Sequence, residues 1–463
     1  MGQTYDLIVV GAGPAGETIA GRVAEGGLSV AVVERELVGG ECSYWGCIPS
    51  KTLIRPGEVL AAAARVPGAA QAVTGTLDAA AAFAQRDYMT SNWNDEGQLP
   101  WLAERGIDLH RGTARLTGER AVEVRTAHDR AQLLVARQAV VLATGTSTAI
   151  PSIEGLAAAR PWDNRAATAA KEVPARLLVL GGGAIGAEMA QAFRRLGSTE
   201  VTVVEGAARL LAREEPFAGE QVQRAFEAEG ITVVTGTALV AVERTGSDGP
   251  VTATLADGRR LVGDEILVAV GRRPATADLG LETVGLEPGR FVEVDEQLRA
   301  QVPGGWLYAV GDVNGRALLT HMGKYQARIA ADVILGKAIT DRASVSVVPR
   351  VTFTDPQVCA VGLTAEQAHE RYADVRTTSY DTGGVAGAYV RGNGITGTSQ
   401  LVVDAARNVI VGATFTGPET QELLHAATVA IAGEVPLDVL WHAVPSFPTV
   451  SEIWLRLLEA YGI

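Results

Sequence analysis

The sequence predicts an α/β fold made of two parallel-sheet units, one inserted in the other, followed by a C-terminal α+β region. Three observations predict it. An apolar strand, a glycine-rich turn, a helix and a second apolar strand occur in that order near residue 5 and again near residue 176. Two apolar strands ending at Thr144-Gly145 and Val270-Gly271 bracket the second occurrence. From about residue 346 the texture changes to short strands and then helices.

The first unit reads "YDLIVVGAGPAGETIAGRVAEGGLSVAVVE". Leu7 to Val10 form the continuous apolar run of a buried parallel strand. Gly11, Gly13 and Gly16 have the G-x-G-x-x-G spacing. The first glycine makes the turn, the second admits a pyrophosphate close to the backbone, and the third lets helix and strand pack closely. The helix start then offers free N–H groups to phosphate oxygens. Glu34 ends the second strand, where a carboxylate accepts hydrogen bonds from a ribose. A lone glycine fingerprint is weak, but here strand, turn, helix, strand and acid stand in register. The unit is predicted to be a Rossmann-like dinucleotide-binding domain.

The second unit, "ARLLVLGGGAIGAEMAQAFRRLGSTEVTVVE", repeats the pattern with Gly181, Gly183, Gly186 and Glu205. Two such units imply two dinucleotides, or one dinucleotide and a decoy. Glu205 would accept from a 2′-hydroxyl and repel a 2′-phosphate, which favours NADH. Arg209, four residues on, is the counter-argument, because an arginine there can bind a 2′-phosphate.

"AVVLATGTSTAIP" (139–151) and "DEILVAVGRRPAT" (264–276) are the bracketing strands with their turns. "WLYAVGDVNGRALLTHMGKYQARIAADVILG" (306–336) is a strand ending at Gly311-Asp312, a loop and a long helix. The alanine-rich stretch 57–85 reads as helix and shows no chemistry. The expected domains are 1–150 with 272–345, then 151–271, then 346–463.

Composition bounds the function. The chain has 463 residues, 20% charged and 47% apolar, ordinary for a globular protein with large cores. A net charge of −13 argues against nucleic-acid binding. The N-terminal apolar run follows no basic segment and is shorter than a membrane span, so neither an export signal nor a membrane helix is expected. Three cysteines build no disulfide framework, which points to a reducing compartment and a cytoplasmic location.

Two of those cysteines, Cys42 and Cys47, lie in "GGECSYWGCIPSKTL". A close pair in a reducing compartment is catalytic or metal-binding more often than structural. A zinc site needs further Cys or His at short spacing, and no CxxC or HxxxH occurs, so no metal is expected. A thiolate near a cation or a helix start has a lowered pKa, and Pro49 with Lys51 fits a helix beginning at the pair. Cys359 sits in an apolar strand and reads as a core residue.

Together these segments resemble the flavoprotein disulfide reductases, a family that includes dihydrolipoamide dehydrogenase, glutathione reductase, mycothione reductase and mercuric reductase. The resemblance covers nearly the whole chain. "GGECSYWGCIPSKTL" is similar to the redox-active disulfide motif, "YAVGDV" with "LTH" to the second FAD-binding segment, "GGGAIGAE" and "VAVGRRP" to the NAD(P)H domain, and "FTDPQVCAVGLT" to the start of the dimerisation domain. The resemblance implies a homodimer with extended FAD. The FAD set is then Gly11, Gly13, Gly16, Glu34, Lys51, Ala114, Thr144, Gly145, Gly311 and Asp312. The NAD(P)H set is Gly181, Gly183, Gly186 and Glu205, and Gly271 and Arg272 are further cofactor-binding residues. It also implies that Cys47 is the flavin-proximal cysteine and Cys42 the one that attacks substrate. Lys51 corresponds to a lysine close to the flavin and Glu188 to its ion-pair partner.

Two departures stand out. Ser43, Tyr44 and Trp45 are bulkier than the residues usual between the cysteines, which narrows the site, favours an aromatic acceptor, or serves packing. The family's C-terminal His-Pro-Thr-x-Ser-Glu becomes "FPTVSE", with Phe447 in the position of the proton-shuttling histidine and Glu452 kept. His442 lies five residues upstream, beyond Pro445. Mercuric reductases also lack the histidine but use a C-terminal cysteine pair, and no cysteine follows Cys359, so mercuric reduction is disfavoured.

The expected function is therefore an FAD-dependent oxidoreductase. Electrons pass from NAD(P)H, NADH favoured, through flavin to a Cys42–Cys47 disulfide and on to a small-molecule acceptor. The alternatives are a quinone reductase or diaphorase with direct flavin-to-acceptor transfer, and a non-catalytic redox sensor or complex subunit. No lipoyl-type segment is expected. Loss of one general acid/base costs roughly 10²- to 10⁴-fold, so lipoamide is not the expected acceptor.

Overall fold

The computed structural model describes residues 2–463, which divide into two compact units. The first comprises the chain up to Pro49, Arg86–Ala149 and Gly271–Val345. Its central sheet has the order Ile107–Arg111, Val30–Glu34, Gln3–Val10, Ala131–Leu142, Ala121–Arg125, Thr113–Gly118, and Leu307–Ala309 also pairs with Ala131–Leu142. Pairing is parallel around Gln3–Val10, with Leu7 opposite Val30 and Val10 opposite Leu142.

The apolar run at Leu7–Val10 is continuous because both faces of this strand are covered. Ile8 and Val10 join Leu116, Val122, Val124 and Trp306 on one face. Leu7 and Val9 meet Ile19, Ala20 and Val23 of the helix Pro14–Glu25 on the other, with Ala327, Ala330 and Ala331 of the helix Thr320–Ile334. Both helices thereby present their first turns at the carboxyl ends of the parallel strands, where such sheets bind ligands. Thr146–Thr148 pairs antiparallel with Arg272–Pro274, joining the segments at which the chain leaves and re-enters this unit. The bracketing strands themselves stop earlier than expected, at Leu142 and Val268.

The second unit comprises Ser50–Gln85, Ile150–Val270 and Ser346–Ile463. It holds a parallel sheet ordered Ile231–Thr235, Glu200–Glu205, Arg176–Leu180, Glu265–Val268, with a three-stranded antiparallel sheet over 239–263. Its third sheet is antiparallel, ordered Arg350–Thr352, Gln357–Gly362, Val409–Gly417, Thr398–Asp404, Val375–Asp381. Cys359 is fully buried in that sheet's core with Phe415 and Leu457.

The alanine-rich stretch, expected to be helical, is helical only at its two ends. Helices run Cys47–Arg65 and Ala79–Met89, and 66–78 lies between them with one short 3-10 turn. Pro67 and Gly68 follow the last helical residue, and Gly68 takes φ +96°, which stops the helix. Leu53, Ala82, Phe83 and Leu196 form a small cluster, and Arg65 pairs with Asp355 at 2.5 Å, which places 50–85 in the second unit. Among the described residues, no helix is long and apolar enough to cross a membrane.

Candidate active site

The glycine turn of the first unit is tightly built. Gly11 takes φ +101°, and a Cβ on Gly16 would lie 1.9 Å from the Gly11 carbonyl oxygen. Gly13 caps the helix Pro14–Glu25 without a side-chain bond, so the leading N–H groups have no protein cap. Glu34 accepts from Ala12 N–H at 2.7 Å and from Glu36 N–H at 2.8 Å, which fixes its carboxylate at the strand end.

A second group assembles beside Gly311. The Asp312 carboxylate accepts from Thr146 Oγ1 at 2.9 Å, and Thr146 Oγ1 accepts from Arg272 Nε at 2.6 Å. Burial pushes the Asp312 carboxyl up from its ordinary value, while Thr146 and Arg272 oppose that rise. Gln326 accepts from Gly311 N–H and from Asn314 Nδ2, both at 2.8 Å, and so holds the Gly-Asp turn. Thr144 Oγ1 is buried without a hydrogen-bond partner among the described residues. An orphaned hydroxyl, an uncapped helix start, a glycine cradle and a buried carboxylate fit FAD. Ala114 differs from the rest of the predicted set: its side chain packs in the apolar core, leaving only its backbone for a ligand.

The cysteine pair sits on this cradle. A Cβ on Gly40 would come within 2.7 Å of Gly13 Cα, so the redox turn rests directly on the dinucleotide turn. The short helix Gly40–Tyr44 ends before Gly46, and Cys47 opens the next helix. Cys42 and Cys47 Sγ are 2.6 Å apart, and Cys47 Sγ lies 3.3 Å from Thr320 Oγ1. The Cys47 sulfur, then burial, raises the Cys42 thiol far above the ordinary thiol range. The raised value favours the protonated form of Cys42. Tyr44 is 3% exposed and its hydroxyl donates to the Val38 carbonyl, so of the roles open to the intervening residues it takes packing.

In the second unit Gly181 takes φ +107°, and a Cβ on Gly186 would lie 1.9 Å from Gly181 O. Around Gly183, which caps the helix Ala184–Leu196, a Cβ would meet open space. Glu205 accepts from Gly182 N–H and Ala207 N–H, both at 2.7 Å. Arg209 donates instead to the carbonyls of Ala212 and Glu214 at 3.0 and 3.2 Å. The glycine cradle and the anchored Glu205 fit a dinucleotide with a free 2′-hydroxyl. Lys51 pairs with Glu188 at 2.7 Å and stands 4.7 Å from the Phe353 ring centroid, and Phe353 N–H donates to the other Glu188 oxygen at 2.9 Å.

The C-terminal motif has two unlike ends. Phe447 is 76% exposed, and Val444 and Tyr389 are exposed to a similar degree. Glu452 is 8% exposed: one oxygen accepts from Arg456 at 2.7 Å, and the other is buried without a partner among the described residues. His442 lies on the exposed stretch and is not joined to Glu452 by any hydrogen bond described. Sequence reasoning missed Thr146, Thr320, Gln326 and Phe353. Thr320 and Thr146 lay inside quoted motifs, "LTH" and "TGTS", but their roles depend on contacts across the sheet. Phe353 opened the quoted "FTDPQVCAVGLT" and Gln326 lay in the quoted long helix, but neither spacing pointed to its contact.

Residues 5–330 match the family described as pyridine nucleotide-disulphide oxidoreductase, and residues 348–457 match its dimerisation domain. The chain is 33% identical to a mercuric reductase of Staphylococcus aureus over 97% of this chain and 81% of that one. It is 34% identical to a dihydrolipoyl dehydrogenase of Thermus scotoductus over 99% and 97% of the two chains. Among solved structures it resembles the Cu(II) complex of the HOCl-induced flavoprotein disulfide reductase RclA from Escherichia coli, with a TM-score of 0.87 at 25% identity over 99% of each chain.

Proposed function

The chain belongs to the pyridine nucleotide-disulphide oxidoreductase family, and from that premise we propose that Cys42 and Cys47 are its redox-active pair and that its acceptor is apolar or aromatic. As a member it is an FAD-dependent enzyme that uses NAD(P)H, and its dimerisation domain indicates a homodimer. When bound, the flavin takes a hydride equivalent from NAD(P)H and hands two electrons on. The domains are proposed as 1–150 with 272–345 for FAD, 151–271 for NAD(P)H and 346–463 for dimerisation.

The observation that carries the redox assignment is the 2.6 Å approach of the two sulfurs on a turn seated against Gly13. Thr320 Oγ1 shares a hydrogen bond with Cys47 Sγ at 3.3 Å and holds that sulfur in place. Asp312, Thr146, Thr144 and the helix start at Gly13 are assigned to FAD. Glu205 and the Gly181 turn are assigned to the nicotinamide dinucleotide, with NADH preferred because the Glu205 carboxylate at the strand end would repel a 2′-phosphate. Lys51 and Glu188 are assigned the ion pair that the resemblance expects.

The acceptor reading rests on Phe447 and Glu452. A phenyl ring moves no proton, and the buried Glu452 has one oxygen with no partner. Quinones, dyes or aromatic disulfides suit such a surface better than lipoamide or glutathione disulfide. Relatives named mercuric reductase and a Cu(II) complex add a thiophilic metal ion as a second acceptor class, which the close sulfur pair supports. A cytoplasmic location is supported by dependence on NAD(P)H.

The test is anaerobic reduction by NADH followed by thiol counting. Two additional thiols per chain are expected in wild type and none in Cys42→Ser. Wild-type protein that gains no thiols with NADH overturns the assignment. Initial rates with a quinone, an aromatic disulfide, Cu(II) and lipoamide then rank the acceptors.

A further inference from the structure

Ser91, Asn92 and Trp93 have φ of 50°, 51° and 55°. Three consecutive non-glycine residues in the left-handed region are disfavoured by the clash of Cβ with the following carbonyl. Such a conformation persists only where surrounding contacts over-determine it. Ser91 and Asn92 are exposed, so their own packing does not hold the turn. What the turn delivers is Trp93 and Asp95, and both reach the redox turn.

Trp93 Nε1 donates to the carbonyl of Tyr44 at 3.1 Å. Tyr44 is the last residue of the short helix that carries Cys42, and its carbonyl is among those a helix end leaves without an intrahelical donor. The Arg86 guanidinium stands 5.3 Å from the Trp93 ring centroid and is itself fully buried, paired with Asp87 at 2.7 Å. The Asp95 carboxylate accepts from Val38 N–H at 2.7 Å and from Arg111 at 2.5 Å. Arg111 also donates to Glu36 O at 2.7 Å. The Tyr44 hydroxyl closes the loop on Val38 O. The segment from Glu36 to Tyr44 is thus fastened at three points by groups distant in sequence.

We infer that the left-handed turn Ser91–Trp93 is a clamp on the redox turn: Trp93 fixes the backbone between the two cysteines at Tyr44, Asp95 fixes the approach to Cys42 at Val38, and both are positioning residues for the redox pair. The inference rests on the reading of Cys42–Cys47 as that pair. Opening the disulfide takes two electrons and two protons and leaves two thiols. With the backbone fixed, the thiols stay within reach of each other, their effective concentration stays high, and the disulfide re-forms readily. Without the clamp the thiols separate, and the dithiol form gains.

The test equilibrates FAD-loaded, full-length protein with glutathione buffers, in which the pair's disulfide plus two glutathione thiols exchanges with the dithiol plus glutathione disulfide. Trp93→Phe keeps an aromatic ring and removes the donor; Asp95→Asn weakens the second fastening. Each is expected to shift the equilibrium toward dithiol by about tenfold, or about 30 mV. NADH-to-ferricyanide activity, which bypasses the pair, is expected to stay within twofold. If Trp93→Phe loses FAD, benzothienylalanine placed at position 93 removes the N–H with the ring shape kept and is read the same way. Asn92→Gly, which adopts the turn without strain, should leave the equilibrium unchanged. An equilibrium within twofold of wild type in both donor-side and acceptor-side variants overturns the clamp, whatever happens to thermal stability. Wild-type protein with no NADH-reducible thiols overturns the underlying redox assignment instead.

Discussion

Replacing Phe447 with histidine tests the proposed acceptor chemistry most directly. The ring is 76% exposed, so the change removes little burial and should alter stability by no more than about 0.5 kcal/mol. An imidazole at this position supplies a group that titrates near neutrality, which a positioned general acid/base converts into roughly 10²- to 10⁴-fold. The lower end applies here, because Glu452 has only one oxygen to offer an imidazole N–H, the other being held by Arg456 at 2.7 Å. Lipoamide reduction by NADH should therefore rise by about 10²-fold in kcat/KM, with a new inflection near pH 6.5. Quinone reduction should stay within a few-fold. The gain should vanish in Phe447→His/Glu452→Gln if Glu452 orients the ring. The assay is steady-state turnover with each acceptor across pH 5.5–9, with FAD content and thermal midpoint as controls. The reasoning is refuted if wild type already reduces lipoamide as fast as quinones, or if the well-folded, FAD-loaded variant gains nothing.

Glu205→Ser should raise the NADPH-to-NADH ratio of kcat/KM by about tenfold, because a carboxylate that would face a 2′-phosphate is removed; a wild type that prefers NADPH overturns the role given to Glu205. Disulfide-substrate turnover should climb with pH through the neutral and alkaline range, since the Cys42 thiol is held above its ordinary value and only thiolate attacks, whereas quinone turnover should be flatter; parallel pH profiles would contradict this. Glu17 is pushed up to about 7, mainly by burial, with Glu34 adding to the rise and Lys324 opposing it. Between its unfolded value and about 7 the folded state holds the extra proton, so stability falls as pH rises through that window, by at most roughly 3 kcal/mol. Glu17→Gln should then melt higher than wild type at pH 8 and alike at pH 4, and equal shifts at both pH values would refute it.

Much of the fold was legible because its signals are local. Glycine spacing reports turns that no side chain can occupy, and Gly11, Gly16, Gly181 and Gly186 meet backbone at 2.5 Å or less when given a Cβ. Apolar runs report strands covered on both faces, as at Leu7–Val10. The alanine-rich stretch misled because alanine marks helix propensity, not helix ends, and Pro67-Gly68 broke it. Its assignment to the second unit rests on Phe83 meeting Leu196 and Arg65 meeting Asp355, contacts invisible in order of sequence. The same holds at the site. Cys42 and Cys47 announced themselves by spacing, whereas Thr320 against Cys47 and Trp93 against Tyr44 depend on chain crossings of 273 and 49 residues.

Two independent features bear on the acceptor in the same direction. Reducing an external disulfide requires the attacking cysteine to lose a proton before it can form the mixed disulfide. In this protein Cys42 holds its proton tightly beside Cys47, and the position from which the family's base would take it is a phenylalanine. Either feature alone slows thiol–disulfide interchange; together they disfavour the Cys42 thiolate and leave no imidazole at Phe447 to generate it. Neither feature impedes electron transfer to an acceptor that meets the flavin directly, nor to a soft metal ion, which displaces thiol protons by binding. On the proposed assignment the favoured acceptors are those needing no base at Cys42, and Phe447→His separates them from disulfides because it supplies an imidazole and leaves the cysteine pair untouched.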